Sequence, residues 1–294
     1  MRLVSYSTSD GLRPGIVVNN EVFDIQGLLA ETEYHDTACT TMRHFLTCFE
    51  GQLDTADQTL TEIAGRGDAR AVGSVEAIAL GPPVPDPAKV LCVGLNYADH
   101  VTETGRELPR HPDIFVKFSS SLVGPRESLS LGQITTKLDY EGELAVVMGR
   151  ACRGVSPEIA LEFVAGAMIL NDISARDLQF QGTQWTAGKA VDASTPSGPE
   201  LVTLDEVGDL QALNVRTIVN GAERQSSSTD RMIFPVSAIV SYISHFLELQ
   251  PGDIISTGTP EGIGSRREPP VFLVSGDEVR VEISGLGMQR THIN

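Results

Sequence analysis

The stretch Lys137–Leu144, KLDYEGEL, runs directly into Ala145, Val146, Val147 and Met148. Its acids, Asp139, Glu141 and Glu143, occupy alternate positions, and Leu138, Tyr140, Gly142 and Leu144 around them are mostly apolar. Period two is the mark of a β-strand, so the alternation predicts a strand with three carboxylates on one face. Like charges that close repel, and this strand enters an apolar run. A cation among them makes the arrangement favourable. Oxygen-only ligands suit a hard ion such as Mg²⁺, Mn²⁺ or Ca²⁺. A solvated strand face would carry the same pattern, so the stretch alone leaves both readings open.

The chain of 294 residues is long enough for one large domain or two ordinary ones with a sizeable core. Hydrophobic residues make up 41% and charged residues 21%, the balance of a globular protein that works in water. The net charge of −17 and the lack of a basic patch argue against a nucleic-acid partner. They leave room for a small anionic substrate, because charge at a site can oppose the global charge. The N-terminal MRLVSYSTSDGLRPG has no apolar secretory core, and the apolar stretch around Phe163–Leu170 is too short to span a bilayer. The expectation is therefore a cytoplasmic protein without a membrane partner. Cys39, Cys48, Cys92 and Cys152 are scattered without CxxC spacing and read as reduced, mostly buried thiols.

Residues 1–75 read as a small N-terminal α+β domain. Leu3–Ser5, Gly15–Val18 and Glu21–Asp24 are short strands, the last two joined by an Asn19–Asn20 turn, and helical patterns follow near Thr40–Phe49 and Asp54–Ile63. Gly81–Lys89, GPPVPDPAK, reads as an extended linker, since proline fixes φ and removes amide donors. Residues 76–294 then form the second domain. Strands are expected at Val90–Val93, Phe115–Phe118, Ala165–Leu170, Val215–Val219 and Asp253–Ser256, with a hairpin turn at Asn220–Gly221. Ser156–Pro157–Glu158 has the form of a helix start. Val236, Ile239, Val240, Ile243, Phe246 and Leu247 repeat at helical spacing, and Val279, Val281 and Ile283 alternate with charged residues as a half-exposed strand. Many short strands and few helices predict a β-rich, mixed α+β fold rather than a doubly wound sheet.

Three groups outside the opening stretch carry candidate chemistry. Asp172, at the C-terminal end of the Ala165–Leu170 strand, can complete a metal site with Glu141 and Glu143, while Asp139 is a ligand or a supporting group. No His or Cys has ligand spacing nearby, which disfavours zinc. In DHVTE, His100 and Glu103 face the same way if the segment is helical, and a carboxylate on one imidazole nitrogen frees the other to take a proton from water. Gly105 and the proline-containing Glu107–Asp113 suggest that this turn sits on a mobile flap. Arg176 has the geometry to grip a carboxylate, and Lys189 the charge to neutralise a developing oxyanion. TAGKA lacks the spacing of a phosphate loop. The loop GTPEGIG, Gly258–Gly264, lacks that of a dinucleotide site, but offers backbone amides and the Thr259 hydroxyl to an anion.

VGLNYADHVTE, LDYEGELAVVMG, NDISARDLQ, GKAVD with TPSGP, and GTPEGIG before SGDEVRVEISGLG together resemble the fumarylacetoacetate hydrolase family, from about Pro85 to the C-terminus. The resemblance implies a β-sandwich roll that is usually a homodimer and binds Mg²⁺ or Mn²⁺. It implies Glu141, Glu143 and Asp172 as metal ligands, His100 and Glu103 as a dyad on a lid, and Lys189 as the oxyanion or enolate stabiliser. Tyr97, Arg176, Gln179 and Thr259 match substrate-contacting positions. Phe118 departs from the Lys-Pro pair common in relatives, and Arg106–Asp113 matches no family pattern; both lie near the implied lid. The implied substrate is a small 2-oxo acid. With HxxE intact, hydrolytic C–C cleavage of an acylpyruvate-type β-diketo acid is expected. Decarboxylation of an oxaloacetate-type acid, and isomerisation or hydration of a 2-hydroxy-dienedioate, are alternatives on the same site. A non-catalytic metal-dependent binding protein is a remote alternative, since it would not need His100, Glu103 and Lys189 together.

Overall fold

The computed structural model describes residues 1–66 and 69–294. Its centre is the strand Gly142–Met148, buried along its whole length. Glycine and six apolar or acidic residues tolerate this because the strand is covered on both faces. Leu144, Val146 and Met148 point into one core with Ile169, Val215, Val281 and Ile283. Ala145 and Val147 point into another with Met168, Leu170, Phe45 and Leu60. Alternation to two apolar cores gives an almost unbroken apolar run, as seen in strands of interior sheets.

This strand lies within a ten-stranded mixed sheet. On one side it pairs antiparallel with Val164–Asn171, then Leu201–Thr203, then Arg2–Thr8, Gly11–Val18, Glu21–Asp24 and the short Gly73–Ser74. On the other side come Ile254–Ser256, Val90–Gly94 and Asp113–Lys117, with Ile254–Ser256 and Val90–Gly94 parallel. A five-stranded sheet packs against one face: Ala222–Ser228, Asn214–Val219, Glu278–Ile283, Gly287–Ile293 and Ser128–Leu129. The helix Val236–Ser244 closes that core. The helices Met42–Cys48 and Leu53–Ala64 cover the opposite face. The fold is thus a β-rich mixed α+β sandwich, as expected.

The hairpin turns form where the sequence places them. Asn19, Asn20, Asn220 and Gly221 all adopt positive φ, the conformation of tight two-residue turns. Glu278–Ile283 alternates half-buried and buried residues throughout. Three details differ from expectation. Ser156–Pro157 leads only into a turn and the 3₁₀ segment Ala160–Phe163, because the strand Val164–Asn171 begins at once and leaves no length for an α-helix. The helix beginning at Val236 ends at Ser244, short of Phe246 and Leu247. The segment 81–89 is extended but not loose. Pro83 and Val84 are buried, and Ser5 Oγ donates to the Pro83 carbonyl at 2.8 Å. The four cysteines are free, and all but Cys48 are buried. Among the described residues, no helix is long and apolar enough to cross a membrane.

Candidate active site

The opening stretch is not one continuous strand. Leu138–Asp139 pairs with Ser174–Ala175 as a separate ribbon, the chain breaks at Tyr140–Glu141, and the long strand starts at Gly142. The break turns Asp139 away from the other acids. Its Oδ1 accepts from the Gly264 amide at 2.7 Å, and its Oδ2 accepts from Arg176 Nε at 2.8 Å and the Ser265 amide at 3.0 Å. Both oxygens accept from protein donors, and Asp139 lies outside the cluster of converging carboxylates.

Glu141, Glu143 and Asp172 converge instead. Gly142 pairs with Asn171 at the sheet end, and the Asp172 amide donates to the Glu141 carbonyl at 2.8 Å. One oxygen from each of the three side chains lies within 4.8 Å of the others, and all three residues are buried. The Asn171 side-chain oxygen accepts from the Glu141 amide at 3.0 Å and fixes the break.

Cations ring these acids. Lys189 Nζ lies 2.6 Å from both Glu141 Oε2 and Asp172 Oδ2. Arg176 reaches Glu141 Oε1 at 2.6 Å and Gln179 Oε1 at 2.9 Å. Lys117, fully buried, donates to Asp172 Oδ1 at 2.6 Å. Among the described residues Glu143 has no cationic partner within ion-pair distance; it accepts from Ser256 Oγ at 2.5 Å and the Gly258 amide at 3.0 Å. The two glutamates are therefore driven apart. Burial works against the Glu141 charge, but Lys189, Arg176 and His100 outweigh it and hold the carboxyl down at about 2. Burial, with the charges of Asp172 and Glu141 added, pushes the Glu143 carboxyl well above the usual carboxylate range. Burial would lower Lys189, but Asp172 and Glu141 raise it, so it stays charged. Four buried carboxylates (Asp139, Glu141, Glu143 and Asp172) face three buried cations (Lys117, Arg176 and Lys189). One uncompensated negative charge and an all-oxygen donor set fit a hard divalent ion.

His100 stands beside this centre on the helix Ala98–Thr104. Its Nδ1 lies 3.1 Å from Glu103 Oε2, and Glu103 Oε1 accepts from the Gly262 amide at 2.9 Å. The expected turn is a helix, tied through Glu103 to the glycine-rich loop. The loop does bind anions through its amides, and they are the protein's own: Gly258 serves Glu143, Gly262 serves Glu103, and Gly264 and Ser265 serve Asp139. Gly262 has φ +103°, and a Cβ there would stand 2.1 Å from the Arg224 carbonyl, so only glycine fits.

A partly open cavity reaches Glu141, Glu143, Lys189 and His100. Arg176, Gln179 and Thr259 also line it. Arg176 is committed to Asp139, Glu141 and Gln179 Oε1, and the Thr259 hydroxyl donates to the Gly142 carbonyl at 3.0 Å and accepts from Gln225 Nε2 at 2.8 Å. Tyr97 lies in the apolar core and does not line the cavity; among the described residues its buried hydroxyl has no hydrogen-bond partner. Sequence reasoning missed Lys117 and Asn171. An isolated lysine in an apolar strand carries little signal, although Lys117 immediately precedes Phe118, the residue that departs from the family's Lys-Pro pair.

The family described as fumarylacetoacetate (FAA) hydrolase C-terminal matches residues 89–294. Oxaloacetate tautomerase fahd2, mitochondrial, from Xenopus laevis is 39% identical over 289 residues, covering 98% of this chain and 88% of that protein. Among solved structures, fumarylacetoacetate hydrolase from psychrophilic Exiguobacterium antarcticum is 32% identical with a TM-score of 0.81, covering 100% of this chain and 99% of that one. Maleylpyruvate hydrolase from Sphingobium sp. SYK-6, in complex with manganese(II) ion and pyruvate, is 28% identical with a TM-score of 0.77, covering 100% and 98%.

Proposed function

The chain belongs to the fumarylacetoacetate hydrolase family of enzymes, and from that premise we propose that it hydrolyses a C–C bond in an acylpyruvate-type β-diketo acid. The observation that carries this reading is the Gly262–Glu103–His100 hydrogen-bonded chain, which opens into the same cavity as the acidic centre. Glu141, Glu143 and Asp172 would hold a divalent ion such as Mg²⁺ or Mn²⁺, which supplies Lewis-acid polarisation of the carboxylate and 2-oxo oxygens of the substrate. The manganese and pyruvate in the Sphingobium hydrolase support this choice.

The chain's own groups then act in order. Glu103 holds the His100 ring through Nδ1, leaving Nε2 to take a proton from water. The resulting hydroxide adds to the distal carbonyl carbon, and Lys189 donates to the oxyanion. The C–C bond breaks, its electron pair passes to the pyruvyl methylene carbon, and His100 returns the proton there. The products are pyruvate and a carboxylic acid. In this reading Arg176 and Gln179 hold Glu141 in place at the cavity wall, and Thr259 and Tyr97 shape its surroundings. A homodimer in the cytoplasm accompanies the proposal, to be checked by light scattering and cell fractionation.

A second reading, keto–enol interconversion of a 2-oxo diacid, is favoured by the 39% identity to a protein named oxaloacetate tautomerase. There His100 would carry a proton between C3 and the 2-oxo oxygen, with no bond between carbons broken. Incubation with Mg²⁺ or Mn²⁺ and acylpyruvates, oxaloacetate or 2-hydroxy-dienedioates separates the cases. Pyruvate plus a carboxylic acid supports hydrolysis; pyruvate plus CO₂ points to decarboxylation; loss of enol absorbance without pyruvate points to tautomerisation. His100→Ala is expected to abolish turnover while metal binding survives, and an unchanged kcat would remove the dyad from every version.

A further inference from the structure

The mouth of the cavity carries two arginines that neither the metal-site nor the dyad chemistry uses. Arg106 and Arg266 both line it, and both are exposed. Among the described residues, neither guanidinium makes a hydrogen bond or an ion pair with the protein, in a chain whose acids outnumber its bases by 39 to 22. Other surface arginines do find a carboxylate, as Arg2, Arg13, Arg216 and Arg231 do.

Their backbones, in contrast, are fixed. Arg106 follows Gly105, which ends the Ala98–Thr104 helix in the left-handed conformation at φ +69°, and the Arg106 amide bonds back to the Val101 carbonyl at 3.2 Å. Its guanidinium lies 5.2 Å over the Trp185 ring. Trp185 packs edge-on to Phe115 and fits against Gly94, where a Cβ would stand 2.5 Å from the indole. Arg266 closes the short helical turn Gly264–Arg266, whose first two amides are anchored on Asp139. The Arg106 side chain is thus held on an aromatic wall, the backbone of Arg266 is anchored beside the same cavity, and the acids lining that cavity are Glu141 and Glu143.

We propose that Arg106 and Arg266 form a second anion subsite that takes the terminal carboxylate of a substrate whose 2-oxo acid end lies at Glu141, Glu143 and Asp172. The preferred substrate class is then a 2-oxo dicarboxylate with an apolar or unsaturated stem along Trp185 and Phe115. Each guanidinium presents a planar fork that matches a carboxylate. The proposal rests on the 2-oxo acid reading above but not on which bond is broken.

Trp185 is the single tryptophan of the chain and lines the same wall, so its emission reports ligand there directly. The test titrates the Mg²⁺-loaded protein with 2-oxoadipate and with 2-oxohexanoate, which differ only in the terminal carboxylate, and repeats both titrations by calorimetry. We expect 2-oxoadipate to bind at least about tenfold more tightly, as charge-assisted hydrogen bonds allow. In R106Q/R266Q the ratio should fall to within about twofold. Equal affinities in the wild type, or a preference that survives the double substitution, overturn the subsite. Binding of neither acid overturns the 2-oxo acid reading and the subsite with it. Retention of the preference in a protein that cleaves no acylpyruvate refutes hydrolysis alone.

Discussion

Lys117 shows how much of this site depends on single buried charges. Its ammonium and the Asp172 carboxylate are both fully inaccessible to solvent and lie 2.6 Å apart. Lys117→Met would leave Asp172 Oδ1 without its donor, and breaking a buried pair costs about 3–5 kcal/mol. Urea unfolding of the metal-free variant is expected to show a loss of that order; a loss below about 1 kcal/mol would mean that Asp172 finds another partner. Glu143 is the opposite case. It sits against Asp172 and Glu141 with only neutral donors of its own, so in the metal-free protein its charge is unfavourable. Glu143→Gln keeps an acceptor for Ser256 and Gly258 but removes the ligand charge. The variant should be at least as resistant to urea as the parent without metal, yet bind Mn²⁺ at least about a hundredfold more weakly by calorimetry. Unchanged Mn²⁺ affinity would take Glu143 out of the ligand set. Which acids form the set was only half legible in the sequence. Alternation picked out the acids, but the break at Tyr140–Glu141, which removes Asp139 from the set, depends on Asn171 and Arg176 from a distant segment.

At the scale of elements, the loop Gly258–Ser265 organises the site. Its amides hold Glu143, Glu103 and Asp139, so one loop orients a candidate ligand, the histidine's partner and the clamp on Arg176. The glycine spacing in GTPEGIG was visible, and an anion-binding role for its amides was expected; that the anions are internal depends on tertiary contacts. Gly262→Ala would force a Cβ into the Arg224 carbonyl and an L-residue into a strained φ. The Glu103 carboxylate would lose its amide donor, and His100 its fixed orientation. Small displacements of reacting groups can cost about a hundredfold, so kcat should fall by roughly 10- to 100-fold with Mn²⁺ affinity little changed. Parallel loss of metal binding would show instead that the loop had collapsed as a unit. Local pattern read the elements well where one face or both faces are apolar, as in Glu278–Ile283 and Gly142–Met148. It failed at Ser156–Pro157–Glu158, where start signals were present but the following strand left no room for a helix.

At the scale of the molecule, the strand Leu201–Thr203 links the first residues to the core. It pairs with Val164–Asn171 on one side and with Arg2–Thr8 on the other, so the N-terminal strands prolong the sheet whose central strands carry the acidic centre. No local pattern announces a pairing such as Leu3 with Leu201. Every candidate residue, from Tyr97 to Thr259, lies within residues 76–294, and we propose the boundary after residue 75 as a division of labour between support and chemistry. Whether it is also a division of folding can be argued from the interface. Met168, Leu170, Ala145 and Val147 pack with Phe45, Leu46, Leu60 and Ile63 in one core. Without residues 1–75, that face and the unpaired edge of Leu201–Thr203 would meet water. Exposed apolar surface and an open edge strand both favour association. Residues 76–294 expressed alone should therefore aggregate or lack a cooperative thermal transition, and the separately expressed fragment 1–75, added during refolding, should restore both the transition and Mn²⁺ binding. A soluble 76–294 fragment that unfolds sharply and binds Mn²⁺ unaided would mean that the acidic centre draws no essential stability from the N-terminal layer.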